Sequence, residues 1–171
     1  MDEARFGLKS WHRRRWCPRG FRPPWVHQDK YEWLWLYVAV EPATGESFCL
    51  YLPRLDGECF EIFLRELNRA YPGEAVVVLD GAPGHRSGQV SWPEEVEALP
   101  LPPYSPELNP VERYFQELRA RLSNKIFDTI EEIMEALSEA LAPYWQEPKK
   151  LASLAGYGWW LQGLPNMQTS H

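Results

Sequence analysis

The fold of this chain is decided by VVVLDGAPGHRS, residues 76–87, and by LPPYSPELNPVERYFQELRARLSN, residues 101–124. In the first segment, consecutive apolar and mostly β-branched residues predict a buried strand over 75–80. The strand delivers Asp80 into a turn that is rich in glycine and proline, residue types that end regular elements. An aspartate is therefore expected at the tip of a buried strand.

The second segment predicts a helix that begins with an acidic residue in its first turn. Asn109 is a favoured N-cap residue and Pro110 is a favoured first helical residue, which places Glu112 in the first turn. Carboxylates at a strand end and at a helix start suit a divalent metal ion, which prefers hard oxygen ligands. Asp2 offers the third carboxylate that a metal pair would need.

The rest of the chain alternates between strand and helix patterns. WLWLYVAV is apolar on both faces and predicts a central buried strand, which the turn sequence PATG separates from the next one. A mixed sheet with helices over it is an α/β architecture, and the LAGYGWW tail is predicted to dock onto it. We expect strands over 2–8, 33–40 and 46–52, and a brief one over 98–101. Helices are expected from Asp56 or Gly57 to Pro72-Gly73, over 93–98 and after Asp128. Residues 9–26 are expected to form an irregular hairpin.

Length and composition indicate one globular domain. The chain has 171 residues and a mass of 20.0 kDa, enough for a substantial core. No apolar run reaches the length of a membrane span. The three cysteines form no CxxC pair, so neither a zinc site nor a disulfide framework is expected. These features predict a reducing, cytoplasmic location.

The first thirty residues are basic, although the chain as a whole is acidic. They carry eight basic and three acidic side chains, a net charge of +5 in a chain whose net charge is −6. Arginines interleaved with tryptophans can hold phosphates and stack on bases, which predicts a DNA-binding surface. A solvated basic hairpin is the alternative. The arginines concerned are Arg13, Arg14, Arg15, Arg19 and Arg22.

Several motifs in sequence order resemble those of a known family. They are DEARFGLK, RRRWCPRGFRP, YEWLWLYVAVEPATGESF, LDGAPGHRS, LPPYSPELNPVERYFQELR and LAGYGWW. Together they resemble the catalytic domain of a DDE transposase of the IS630 group, in the Tc1/mariner superfamily. YSPELNPVE is the most specific of them. The resemblance implies a ribonuclease-H-like fold, a mixed sheet flanked by helices.

The resemblance also implies a set of site residues. Asp2, Asp80 and Glu112 would be the catalytic and metal-binding acids, holding two Mg²⁺ ions that Mn²⁺ can replace, with Asp2 bridging both. His85 would orient an acid or touch a phosphate, although a histidine that closes a Gly-Pro-Gly turn could equally be a structural hydrogen-bonding residue. Arg86 would contact DNA near the metals. The family's reaction is cleavage at the ends of the element, followed by attack of the freed 3′-hydroxyl on target DNA.

Each of the three acids also has a purely structural explanation. Glu112 lies three residues after Asn109, which is the spacing of a capping box. Asp80 could be an ordinary turn residue, and Asp2 an acid at a chain terminus. Glu3 alternates to the other face of the predicted first strand, so it is expected to be a poor ligand for the same metal.

The resemblance sets expectations for the whole protein as well. Residues 1–171 are expected to form a single DDE catalytic domain, without the helix-turn-helix region that precedes it in relatives, and with a shortened first strand. Expected partners are double-stranded DNA, an N-terminal transposase half and a second copy of the chain, but no membrane. The leading prediction is metal-dependent DNA cleavage and strand transfer. The alternatives are a non-catalytic remnant that binds DNA or a transposase and, with less support, a repair nuclease of the same fold.

Overall fold

The structure, a computed structural model, describes residues 1–10, 14, 16–21, 27–80, 90–103 and 105–167, with side chains up to residue 163. Within those residues no helix combines the length and the apolar character needed to cross a bilayer.

Three antiparallel strands form the first sheet, in the order β1 (Asp2–Lys9), β2 (Asp29–Val40) and β3 (Ser47–Leu52). Asp2 lies opposite Val38, and the register shifts at a bulge near the far end of β1. β2 begins earlier than predicted. Its apolar run starts at residue 33, but pairing with β1 extends the strand through four polar or aromatic residues. The other two strands agree with their predictions.

Two parallel strands, β4 (Ala75–Leu79) and β5 (Val96–Pro100), form the second sheet. β4 agrees with the position of the predicted strand, although only Val77 and Leu79 are buried and Val76 is exposed. The helix predicted over 93–98 is wrong, since Val96 starts a strand that pairs with Ala75. The brief strand expected at 98–101 is real but begins two residues earlier. Pairing with β4, which lies about twenty residues away in sequence, overrides the local helical pattern.

Residue Met1 links the two sheets, because its amino group donates a hydrogen bond to the backbone carbonyl of Val78 in β4. β1 therefore lies between β2 and the end of β4. This arrangement brings the start of β1 and the end of β4, the two predicted positions for acids, to the same place.

Five α-helices surround the strands in the described part of the chain. Asp56 caps α1 by accepting from the Cys59 N–H at 2.9 Å, and Asn109 caps α2 as predicted. The predicted helices after Asp56, Asn109 and Asp128 are confirmed, and the LAGYGWW segment joins the end of one further helix to the start of another. The helices are α1 (Gly57–Ala70), α2 (Pro110–Leu122), α3 (Ile130–Gln146), α4 (Pro148–Ala155) and α5 (Gly158–Met167), with a 3-10 turn at Pro106–Leu108 before α2.

The core has two parts, one on each face of the strands. Ala4 and Phe6 of β1 face α2, α3 and α4, while Tyr37 of β2 and Val77 of β4 pack with α1 on the other face. Because side chains alternate along a strand, Asp2 belongs to the α2 face and Glu3 to the α1 face. The molecule is thus an α/β domain with helices on both faces of mixed strands, as expected.

Candidate active site

Asp2 lies at the start of β1, half-buried on the face that α2 covers. Burial raises the pKa of its carboxyl from 3.8 to about 7, although the Glu3 backbone N–H donates to its Oδ1 at 2.8 Å and opposes that shift. The negative charges of Glu3 and Glu112 raise the pKa further, and the chain's amino group lowers it. A carboxyl in this environment gains from a nearby cation, which favours the ionised form.

Glu112 occupies the first turn of α2, where the helix dipole favours a carboxylate. The capping-box explanation needs the Glu112 side chain to accept from the Asn109 N–H. That N–H donates instead to the Pro106 carbonyl at 3.0 Å, and Glu112 Oε2 lies 3.8 Å from Arg119 Nη1. The half-buried Glu112 therefore does not close a capping box, and its charge acts on Asp2 while its carboxylate lies near Arg119.

Asn109 connects the two elements that carry these acids. Its Oδ1 accepts from the Val111 N–H at 3.1 Å, which caps α2, and its Nδ2 donates to the backbone carbonyl of Met1 at 3.1 Å. The residue is only 4% exposed, so both bonds are shielded from water. The start of the Glu112 helix is thereby tied to the residue that precedes Asp2.

Asp80 follows the last residue of β4 and is exposed. Its charge acts on the amino group of Met1, whose pKa is lowered mainly by burial, so Asp80 lies close to the start of β1. Among the described residues, no three His, Cys, Asp or Glu side chains are arranged so that they could hold a metal ion. The three acids lie in one region of the fold but are not arranged as a metal-binding group, so their joint role stays a prediction.

The other predicted site residues are placed only in part. Arg14 and Arg19 are exposed, and the Trp16 side chain between them is fully exposed. Their proposed DNA contacts stay a prediction. His85, Arg86, Arg13, Arg15 and Arg22 lie outside the described residues.

Two contacts that lie near the acids were not predicted from the sequence. Arg119 follows Glu112 by seven residues, two helical turns along one face, and that spacing could have revealed the pair. Trp160 Nε1 donates to the Leu108 carbonyl at 2.7 Å, which fastens α5 to the turn before α2. No local signal points to this second contact, because the two residues are 52 positions apart.

A family match, together with the fold, defines the class of protein. Residues 1–134 match the family of DDE superfamily endonucleases, and the chain belongs to that family. The uncharacterized protein y4pE/y4sA of Sinorhizobium fredii (strain NBRC 101917 / NGR234) is 34% identical over 130 residues, which are 74% of this chain and 96% of that protein.

Solved structures of a mariner transposase share the fold. The Mos1 mariner paired end complex with Mn aligns with a TM-score of 0.62 at 21% identity, over 91% of this chain and 52% of the Mos1 chain. The Mos1 transposase paired-end complex with left transposon end aligns with a TM-score of 0.60 at 21% identity, over 89% and 51%. The chain thus spans about half of the Mos1 length and has the ribonuclease-H-like fold expected of a DDE transposase domain.

Proposed function

We propose that this chain is the catalytic domain of an IS630-group transposase, which cleaves and joins DNA with divalent metal ions held by Asp2, Asp80 and Glu112. The observation that carries the proposal is the joint environment of Asp2 and Glu112. The two acids come from different elements that Asn109 ties together, and the charge of Glu112 contributes to the raised pKa of Asp2. Structural roles alone do not require two carboxylates to share a half-buried place.

The donor set fits magnesium, with manganese as a substitute. Carboxylate oxygens are the hard ligands that Mg²⁺ prefers, and Mg²⁺ keeps several waters, so three acids are a sufficient protein contribution for a pair of ions. When bound, such a pair supplies activation of the attacking oxygen and stabilisation of the leaving oxygen. Because Asp2 must lose its proton to ligate, metal binding by this site is expected to weaken as the pH falls below about 7.

The chain's own residues hold the acids in place. Asn109 keeps the first turn of α2 against the residue before Asp2, and Arg119 draws the Glu112 carboxylate along the helix face. An acid that keeps its charge but is displaced should still lower the reaction rate, because phosphoryl transfer depends on the placement of the reacting oxygens. Asn109 and Arg119 are therefore proposed as positioning residues, which act through the acids they contact.

Double-stranded DNA is the proposed substrate. Membership of an endonuclease family supports this, and the related Mos1 structure includes a left transposon end. Exposed Arg14 and Arg19 would contact phosphates together with the other arginines of their segment, and Arg86 would contact phosphates near the acids. The single-domain organisation without a helix-turn-helix, a second copy of the chain, an N-terminal transposase half and a cytoplasmic location stay predictions.

Nicking of supercoiled plasmid in Mg²⁺ or Mn²⁺ tests the proposal. Asp2→Asn, Asp80→Asn and Glu112→Gln should each abolish nicking, because each removes one metal-binding carboxylate. Matched acids nearby serve as controls, namely Glu3→Gln on the other face of β1, Glu74→Gln before β4 and Glu117→Gln one turn along α2. The proposal fails if the three site variants nick as fast as the three controls.

A non-catalytic DNA-binding domain is the second candidate. It is favoured by the finding that no three acidic, histidine or cysteine side chains converge on a metal position in the described part of the chain. If this candidate is correct, DNA binding needs no divalent metal and is unchanged by substitution of the three acids. It weakens in an Arg14→Gln, Arg19→Gln variant. A folded wild type that binds but never nicks would favour it.

A further inference from the structure

A stack of one cation and two aromatic rings lies on the surface beside the first turn of α2. The guanidinium carbon of Arg113, the residue after Glu112, lies 4.2 Å from the centroid of the Tyr157 ring. The Tyr157 and Trp159 rings stack with centroids 5.6 Å apart and planes 15° from parallel. Trp159 remains 49% exposed at the end of this stack. The order along the stack is therefore cation, phenol and indole.

The stack has a fixed position relative to the candidate active site. The neighbouring Trp160 is buried, and its Nε1 donates to the carbonyl of Leu108, the residue just before the α2 cap. Trp159 and Trp160 rings also contact each other, with centroids 5.7 Å apart. The stack is thus attached at two points, to α2 itself through Arg113 and to the 3-10 turn before α2 through Trp160.

The chemistry of the stack matches that of a nucleobase site. An exposed indole offers a flat apolar face, which every base can stack on regardless of its identity. A guanidinium held over a ring can still donate from its N–H edge to a phosphate oxygen. Buried Trp160 already packs α5 against the domain, so the half-exposed Trp159 side chain is not needed to hold that helix.

Resting on the proposed function, we propose that Trp159 stacks on a single unpaired base of the DNA next to the cleavage site, while Arg113 contacts an adjacent phosphate. The base must be unpaired or terminal, because bases inside a duplex have both faces covered by their neighbours. Arg113 lies in the first turn of α2 and Leu108 just before that helix, so the stack is at the end of α2 that carries Glu112. The site would recognise an opened DNA end and not a particular sequence.

Fluorescence of 2-aminopurine tests the proposed stacking of a base on Trp159. The whole chain is mixed, in Ca²⁺, with either of two DNA duplexes that differ only in whether one 2-aminopurine is paired. The wild type should bind the unpaired duplex more tightly and quench its fluorescence. Trp159→Ala should lose the quenching and bind the unpaired duplex about 5- to 100-fold more weakly, leaving the paired duplex unaffected. Trp159→Phe should give intermediate quenching. Arg113→Gln should weaken binding to both duplexes equally, since phosphate contacts do not distinguish paired from unpaired bases.

Two matched variants control for general effects of removing such side chains. Trp145→Ala removes a tryptophan that is 45% exposed on α3, and Arg121→Gln removes an arginine that lies over the Tyr144 ring at the other end of α2. Both should bind like the wild type.

Three results would overturn the inference: a Trp159→Ala variant that binds like the wild type, an equal loss on both duplexes, or a wild type that binds neither. Catalysis is judged separately by nicking. A Trp159-dependent preference for the unpaired duplex without any nicking supports the base site and contradicts the proposed function. Nicking that depends on the three acids, without a preference for the unpaired duplex, supports the proposed function and contradicts the base site.

Discussion

The side-chain amide of Asn109 donates to the backbone carbonyl of Met1 at 3.1 Å, across 108 positions of sequence. The same side chain caps α2 through its oxygen. One buried residue thus satisfies a local requirement of the helix and joins that helix to the strand bearing Asp2. The geometry of the acids depends on this contact as much as on the acids themselves.

Asn109→Ala is expected to destabilise the protein by about 2–4 kcal/mol, because it removes a helix cap and leaves a buried carbonyl unpaired. Asn109→Ser keeps a capping oxygen but cannot reach Met1, so it should recover only the cap contribution of about 1 kcal/mol. Urea unfolding followed by circular dichroism measures both. Equal stability of Asn109→Ser and wild type would show that the contact with Met1 contributes nothing.

The raised pKa of Asp2 predicts a pH-dependent stability in metal-free protein. The folded state keeps the Asp2 proton up to about pH 7, whereas the unfolded state releases it near 3.8, so the folded state binds more protons between these values. The free energy of unfolding should therefore fall as the pH rises from about 4 to about 7 and then level off. The total effect is at most about 4 kcal/mol.

Asp2→Asn isolates this effect, because asparagine does not titrate. We expect the difference in unfolding free energy between wild type and Asp2→Asn, measured in EDTA by urea titration at several pH values, to change only within that window. A difference that stays constant from pH 4 to pH 8 would contradict the assignment.

Gly45 and Gly20 form a matched pair for a steric prediction. Both have positive φ, +80° and +86°, but a Cβ on Gly45 would lie 1.9 Å from the Pro148 carbonyl oxygen, while a Cβ on Gly20 would meet nothing within 4 Å. Gly20→Ala should cost about 1–2 kcal/mol from backbone strain alone. Gly45→Ala should cost at least about 3 kcal/mol, since the β2–β3 turn must also separate from α4. Similar thermal unfolding midpoints for the two variants would disprove the close packing.

Trp160→Phe should lower the free energy of unfolding by about 1–2 kcal/mol, because the partly buried Leu108 carbonyl loses its donor. Trp159→Phe, on the exposed neighbour, should stay within about 0.5 kcal/mol of wild type. Chemical denaturation of the two variants provides the comparison. A larger loss for Trp159→Phe would mean that α5 is held by a different contact.

Local sequence signals predicted most of the elements because their causes act over a few residues. The Asn109–Pro110 start of α2, the Asp56 cap of α1 and the apolar run of β4 each depend on neighbours within one or two turns. The helix expected over 93–98 failed for the opposite reason. Its residues pair with β4, and such pairing is decided by which strand lies next to them in space.

For the candidate site, the sequence by itself determined the three acids and their local setting, a strand start, a strand end and a helix start, and the motifs around them determined the family. Only the tertiary structure decided that β1 lies beside β4, that Asn109 reaches Met1, and that Trp160 fastens α5 to the turn before α2. Caps and strand patterns are short-range preferences. Contacts between distant residues form only when the core on both faces of the sheet brings their elements together.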